Sequence, residues 1–184
     1  MKYNLDIFGI KRELELFPIN KDVYIAGFIM FGDVELTVKC AEELIKIIPE
    51  HDLMITAETK GIPLLYEMAR QQGADNYIVA RKSQKLYMKD TVMAEVDSIT
   101  TENRQSLFLS GDDAKALQGK RVVLIDDVIS TGNSIKALAN LVDMVGGTVV
   151  GTLAVLAEGD AIERDDIKVL QHLPLFDKNG NPLD

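Results

Sequence analysis

Between Val122 and Ser134 the chain reads VVLIDDVISTGNS. Four apolar residues run into two adjacent aspartates, a short loop of Ser, Thr, Gly and Asn follows, and the pattern then turns helical. That order leaves few folds open. A strand apolar on both faces belongs inside a parallel sheet covered by helices on both sides. In such sheets ligands bind beyond the carboxyl ends of the strands, where this acidic pair is carried. Carboxylates accept hydrogen bonds from neighbouring hydroxyls. The small-residue loop offers backbone N–H groups to an anion, and the next helix points its positive end at the same place. A ligand with a vicinal diol and a 5′-phosphate would satisfy all three. The run is not a P-loop, because a Gly-Lys-[Ser/Thr] ending is absent, and its glycine spacing does not suit a dinucleotide fold. A lone Asp-Asp pair would mean only a strand end with a helix cap; the full run means more.

The rest of the chain alternates in the same way. Tyr24 to Phe31 is a short apolar segment, and Asp33 is placed as the N-cap of a helix carrying Val34, Val38, Ala41, Leu44, Ile45 and Ile48 at helical spacing before Pro49. Leu53 to Ala57 is a buried-strand candidate, and Pro63 suits the first turn of a helix ending near Gln72-Gly73. Tyr77 to Ala80 is the next strand, and residues 82 to 90 are polar and irregular. Val92 to Ile99 and Ser106 to Leu109 read as a hairpin. Val122 to Ile125 is the central strand, and Ile135 to Val145 its helix, closed by Gly146-Gly147. Thr148 to Ala157 and Val169 to Phe176 complete the alternation. The expected fold class is α/β, with a central, mostly parallel sheet and helices on both faces.

At 184 residues a single domain spanning 1–184 is expected. No apolar run approaches the roughly 20 residues of a membrane span, and Met1 to Asn20 mixes charges and lacks a signal-peptide core. The single cysteine, Cys40, excludes an internal disulfide framework, fits a reducing cytoplasm and sits among apolar helix positions as a packing residue. A net charge of −9 argues against nucleic acid as a partner. His51 and His172 lie far apart without cysteine partners, which argues against zinc.

Ile125-Asp126-Asp127-Val128-Ile129-Ser130-Thr131-Gly132 resembles the phosphoribosyl diphosphate (PRPP) binding motif of type I phosphoribosyltransferases. The resemblance implies that fold, with a small hood from about residues 1–30 and 172–184 and a core of about 31–171. It implies that Asp126 and Asp127 hold the ribose hydroxyls or a metal-bound water, and that Ser130, Thr131, Gly132, Asn133 and Ser134 grip the 5′-phosphate. Two other strand ends match the family. Glu58-Thr59-Lys60-Gly61, before Pro63, resembles the pyrophosphate loop; its Gly permits unusual backbone geometry near a ligand, and Lys60 can neutralise phosphate oxygens. Arg81-Lys82-Ser83-Gln84-Lys85 resembles the start of the mobile catalytic loop, with Arg81 and Lys82 as diphosphate contacts and Lys85 as a catalytic residue. Such a lid would keep water from PRPP. Mg²⁺, held indirectly at Asp126 and Asp127, is the implied cofactor, and a homodimer the implied assembly.

The subgroup resembled is that of the adenine and xanthine phosphoribosyltransferases, and Ala94 to Thr100 is similar to the strand after the lid in xanthine phosphoribosyltransferases and in the related purine repressor. Base-binding positions fall at Met30, Val128 and Glu158. Where xanthine enzymes carry Glu-Lys this chain reads Ala157-Glu158, and their base-reading Asn falls at Met30. A carboxylate accepts from the amino group of adenine and repels an oxopurine anion. Adenine plus PRPP is therefore the expected substrate pair. The alternatives are xanthine or another 6-oxopurine, and a non-catalytic PRPP or nucleotide sensor related to the purine repressor.

Overall fold

The computed structural model describes residues 1–96 and 105–183. Two strands absent from the sequence reading open the chain. β1 (Lys2–Ile7) and β2 (Ile10–Pro18) form an antiparallel hairpin. Its turn is Phe8-Gly9, both at positive φ (52° and 84°). Charged residues at alternate positions disguise a period-two pattern: Leu5, Ile7, Leu14 and Leu16 are buried while Asp6, Lys11, Glu13 and Glu15 face solvent. β3 (Tyr24–Ala26) pairs with β2, and Tyr24 also bridges Phe176 near the other end of the chain. Residues from the two ends of the chain thus meet in one antiparallel layer, called the hood layer below.

α1 (Val34–Ile45) starts as its sequence implies, with the Asp33 carboxylate accepting from the Leu36 N–H. Arg12 of β2 clamps the same carboxylate, with Nε 2.6 Å from Oδ2 and Nη2 2.9 Å from Oδ1. One carboxylate therefore caps the first helix and ties the hairpin to it. β4 (Leu53–Ala57), α2 (Ile62–Gln72, with Pro63 in its first turn) and β5 (Ile78–Ala80) follow. β6 (Val92–Val96) and β7 (Gln105–Leu109) make the expected hairpin; 97–100, read as the end of its first strand, lie outside the described residues. A short helix, α3 (Gly111–Leu117), was not anticipated; its Ser110 cap and Asp112-Asp113 first turn are its signal.

β8 (Arg121–Ile129) is more than twice as long as the expected Val122–Ile125 strand and runs through both aspartates. The reason is register: Asp126 pairs with Ala154, Val128 with Leu156 and Ile129 with Ala157 of β9 (Thr148–Glu158). α4 (Asn133–Met144) precedes β9, and β10 (Lys168–Leu173) ends the sheet. The five strands β10-β9-β8-β4-β5 are all parallel. α1, α2 and the hood layer bury one face around Leu36, Cys40, Leu44, Leu65 and Met68. α4, α3 and the β6–β7 hairpin bury the other around Leu138, Leu141, Leu107 and Leu117. Cys40 is fully buried in the first core, and burial pushes its thiol up to about 12.

The chain steps from β4 outward to β5 on one side and from β8 to β9 and β10 on the other. The switch point lies between β4 and β8, and there the sheet opens. Pairing of β4 with β8 stops at Ile55–Leu124, while β4 stays paired to β5 as far as Ala57–Ala80 and β8 to β9 as far as Ile129–Ala157. A crevice at that position is where a sheet of this topology binds ligands.

Asp33→Ala removes both the α1 cap and the Arg12 clamp, and should lower unfolding free energy by about 1–3 kcal/mol in a urea titration. Glu35→Ala, whose exposed carboxylate also touches Arg12, should change it by less than about 0.5 kcal/mol. Arg12 holds the Asp33 carboxyl below the ordinary range. The Asp33 contribution is therefore present above the usual carboxylate value and fades as pH falls through the lowered one. Equal losses in the two variants would contradict this role.

Candidate active site

A cavity of about 180 Å³ fills the β4–β8 crevice. Glu58, Thr59, Lys60 and Lys82 line one side, Asp126, Asp127, Val128 and Ser134 the other, with Leu107 of β7 between. A smaller cavity of about 50 Å³ adjoins it through Asp126, Val128 and Ser134, and is walled by Ser130, Thr131, Gly132 and Asn133 at the start of α4. The two halves suit different chemistry. The first holds cations and carboxylates; the second is a cup of small side chains at a helix amino end.

Asp127 is buried, and its Oδ2 has no hydrogen bond; Lys60 Nζ approaches it at 3.2 Å from the opposite wall. The Asp126 carboxylate accepts the Asp127 N–H at 2.9 Å. Burial, and after it the Asp127 carboxylate, push the Asp126 carboxyl well above the ordinary range. Lys60 pairs with Asp127, and its charge is felt by Asp126 and Glu158.

Gly61 adopts an ordinary φ of −72°, so the expected unusual backbone is not why glycine stands there. A Cβ at Gly61 would collide with Thr56 Oγ1 and lie 3.6 Å from Asp126 Cα. The glycine lets the loop close onto β4 and β8. Gly132 does need its freedom: it caps α4 at φ 77°.

Glu58 faces the lid segment. It accepts the Lys82 N–H at 2.9 Å and pairs with Arg81 Nη2 at 3.1 Å. Its carboxyl is held below the ordinary range, first by that amide. Its side chain positions the Arg81-Lys82 step instead of pointing at an anion. Lys82 reaches the crevice. Arg81 lines a separate cavity of about 640 Å³ with Tyr77, Tyr87 and Asp113. Lys85 Nζ donates to Ser83 Oγ at 2.7 Å within its own loop and does not line the crevice. Met30 departs furthest from the expectation: only 1 % exposed, it packs into the hood-side core and borders a cleft between α1 and α2. It is not a wall of the crevice. Glu158 stands at the end of β9, and burial raises its carboxyl above the ordinary range. Leu107 was missed, because nothing local to β7 marks it as facing a site formed 19 residues further along the chain, at Asp126.

Among the described residues no three His, Cys, Asp or Glu side chains converge as metal ligands. Asp127 Oδ2, without a hydrogen bond and paired only with the movable Lys60 ammonium, and the neighbouring Asp126 suit a hydrated cation whose other ligands come from a bound polyphosphate. Among the described residues no helix is long and apolar enough to cross a membrane.

The chain belongs to the phosphoribosyl transferase domain family, whose model matches residues 33–182. A hypoxanthine/guanine phosphoribosyltransferase of Methanothrix soehngenii is 30 % identical over 61 % of this chain and 55 % of its own length. The purine biosynthesis transcriptional repressor of Bacillus subtilis is 31 % identical over 62 % of this chain and 39 % of its own length. The match thus spans about half or less of these curated relatives. An adenine phosphoribosyltransferase structure from Thermoanaerobacter pseudethanolicus superimposes with a TM-score of 0.70 at 24 % identity, over 87 % of this chain and 95 % of that one. The fold is that of type I phosphoribosyltransferases.

Because the folded protein holds the Asp126 proton more tightly than the unfolded chain does, stability present in acid is lost as pH rises from about 4, the usual Asp value, through the raised one. Asp126→Asn should therefore raise the melting temperature of the ligand-free protein, more at pH 8 than at pH 5. A variant that melts lower than wild type at pH 8 would contradict the strained carboxylate.

Proposed function

We propose that the protein is a purine phosphoribosyltransferase converting adenine and PRPP to AMP and diphosphate, a purine-salvage reaction. The observation that carries this reading is the pair of adjoining cavities meeting at Asp126. The smaller takes the 5′-phosphate on the N–H groups of Ser130 to Ser134. Asp126 and Asp127 hold the ribose hydroxyls. Thr59, Lys60 and Lys82 take the diphosphate. The base nitrogen forms its bond to C1′ as the C1′–O bond to diphosphate breaks, and the departing diphosphate keeps the bonding electron pair. Positive charge develops on the ribose in an oxocarbenium-like transition state, and the aspartates are placed to support it. Mg²⁺, when bound, offsets the charge of the leaving diphosphate.

Lys60 must leave Asp127 to meet the diphosphate, so ligand binding exchanges one ion pair for another. The Arg81–Lys85 segment is suited to close over the bound ligand, with Glu58 as its hinge point. The 184 residues act as one unit in this reading, the hood layer holding the base, and a homodimer is the expected assembly. Glu158, at the end of β9 and outside the lining of both cavities, accepts from the amino group of adenine in this reading. Val128 flanks the base.

The similarity to a hypoxanthine/guanine enzyme and to a repressor supports two other readings, a 6-oxopurine substrate and a sensor without turnover. Nucleotide formation from PRPP with adenine, hypoxanthine, guanine and xanthine in parallel separates all three. Adenine should give the highest kcat/KM. Preference for an oxopurine would reverse the base assignment, and no turnover with any base would leave a sensor. Asp126→Asn with Asp127→Asn should abolish turnover in a folded protein. Glu158→Gln should lower kcat/KM for adenine roughly 10-fold or more; an unchanged value would remove Glu158 from base recognition.

A further inference from the structure

We propose that Arg164 supplies the positive charge of the 5′-phosphate subsite, acting on the loop from its outer side at Gly132. The proposal rests on the reading of the 130–134 loop as that subsite. The loop residues, Ser130 to Ser134, are all neutral, and the only ionisable wall of their cavity is Asp126. Lys60 and Lys82 border the neighbouring cavity instead. A phosphate dianion bound there would meet amides, a helix end and a carboxylate, in a chain of net charge −9.

Arg164 meets this need by position. A Cβ built on Gly132 would collide with Arg164 Nη1, and would lie 3.2 Å from Cζ and 3.7 Å from Nη2. The guanidinium therefore lies flush against the residue at the middle of the loop, which caps α4. Its orientation is fixed from the other edge: Nε donates to Asp166 Oδ1 at 2.9 Å and Nη2 to Asp166 Oδ2 at 2.6 Å. That fork occupies one side of the plane and leaves Nη1 turned to Gly132. An exposed pair two residues apart contributes little to stability on its own, so the contact with Gly132 is its informative feature. Asp166 is 62 % exposed and Arg164 24 %, so solvent screens the acid more than the cation. Arginine suits the task because its planar fork is held by one edge while the other faces the loop. Arg164 follows the turn Gly159–Glu163 that leaves the end of β9 at Glu158. One segment thus carries Glu158 at one end and Arg164 at the other. Arg164 is not a wall of the small cavity but lines one of about 360 Å³ behind it with Lys136 and Asp166, so it acts on a bound phosphate by its charge, across Gly132.

The test is calorimetric titration of the full chain with ribose 5-phosphate and separately with diphosphate, at pH 7.5 and pH 5.5. Arg164→Gln should weaken ribose 5-phosphate roughly 10-fold at pH 7.5 and leave diphosphate binding unchanged. The loss should shrink at pH 5.5, where the phosphate, with a second pKa of about 6, carries less charge. Arg164→Lys, which keeps the charge but not the fork to Asp166, should recover part of the affinity, and it decides the matter if Arg164→Gln does not fold. A purely structural brace would lose affinity equally at both pH values and would not be rescued by lysine; either result overturns the proposal. Unchanged ribose 5-phosphate binding in Arg164→Gln overturns it alone. Failure of the wild-type protein to bind ribose 5-phosphate overturns the reading of the loop and this proposal with it.

Discussion

The parting of β4 and β8 after Ile55–Leu124 is the constraint from which the site follows. Each strand continues with its outer partner, so the sheet stays hydrogen-bonded while its centre opens. The two walls then carry different cargo: the Glu58–Lys60 loop on one, Asp126 and Asp127 on the other. Because β8 keeps pairing with β9 to Ile129, the aspartates sit on a strand instead of a loose end. Strand backbone fixes them more closely than a loop could, and a site that works by positioning depends on that. Gly61 belongs to the same arrangement, since a side chain there would push the loop off Thr56 and widen the crevice.

In a protein of net charge −9 the crevice sets carboxylates and cations against one another at close range. The burial that fixes Asp126 also makes its charge costly, and the adjacent Asp127 adds to the cost. Lys60 offsets part of this in the ligand-free protein by bridging to Asp127. The arrangement is not at rest. Under the proposed function, hydroxyls and a cation at the aspartates, and phosphates at the lysine, answer each of these charges. Net charge is therefore a poor guide to ligand charge here; a few oriented donors and cations outweigh the remote acids.

Much of this was legible in the sequence, for identifiable reasons. The strand–Asp-Asp–loop–helix run is local chemistry, and local chemistry survives without coordinates. The Asp33 cap and the parallel core strands were read for the same reason. What stayed hidden depends on register or on distant partners. The hood strands alternate as strands should, but their charges mask it. The length of β8 is set by β9, not by its own residues. Met30 is buried by the packing of the hood, and Gly132 meets a side chain 32 positions later in the chain, Arg164. The Arg81–Lys85 run looked like one functional unit, yet the structure divides it between the crevice at Lys82, a second cavity at Arg81 and the loop's own Ser83 at Lys85.

The central claim is that one sugar phosphate spans both cavities through Asp126. A crystal structure of the protein with PRPP tests it most directly. The account predicts the 5′-phosphate within hydrogen-bond reach of the Ser130–Ser134 amides, the ribose hydroxyls on Asp126 and Asp127, and the diphosphate beside Lys60 and Lys82. Ligand bound instead in the larger cavity beside Arg81, with the β4–β8 crevice left to solvent, would contradict it.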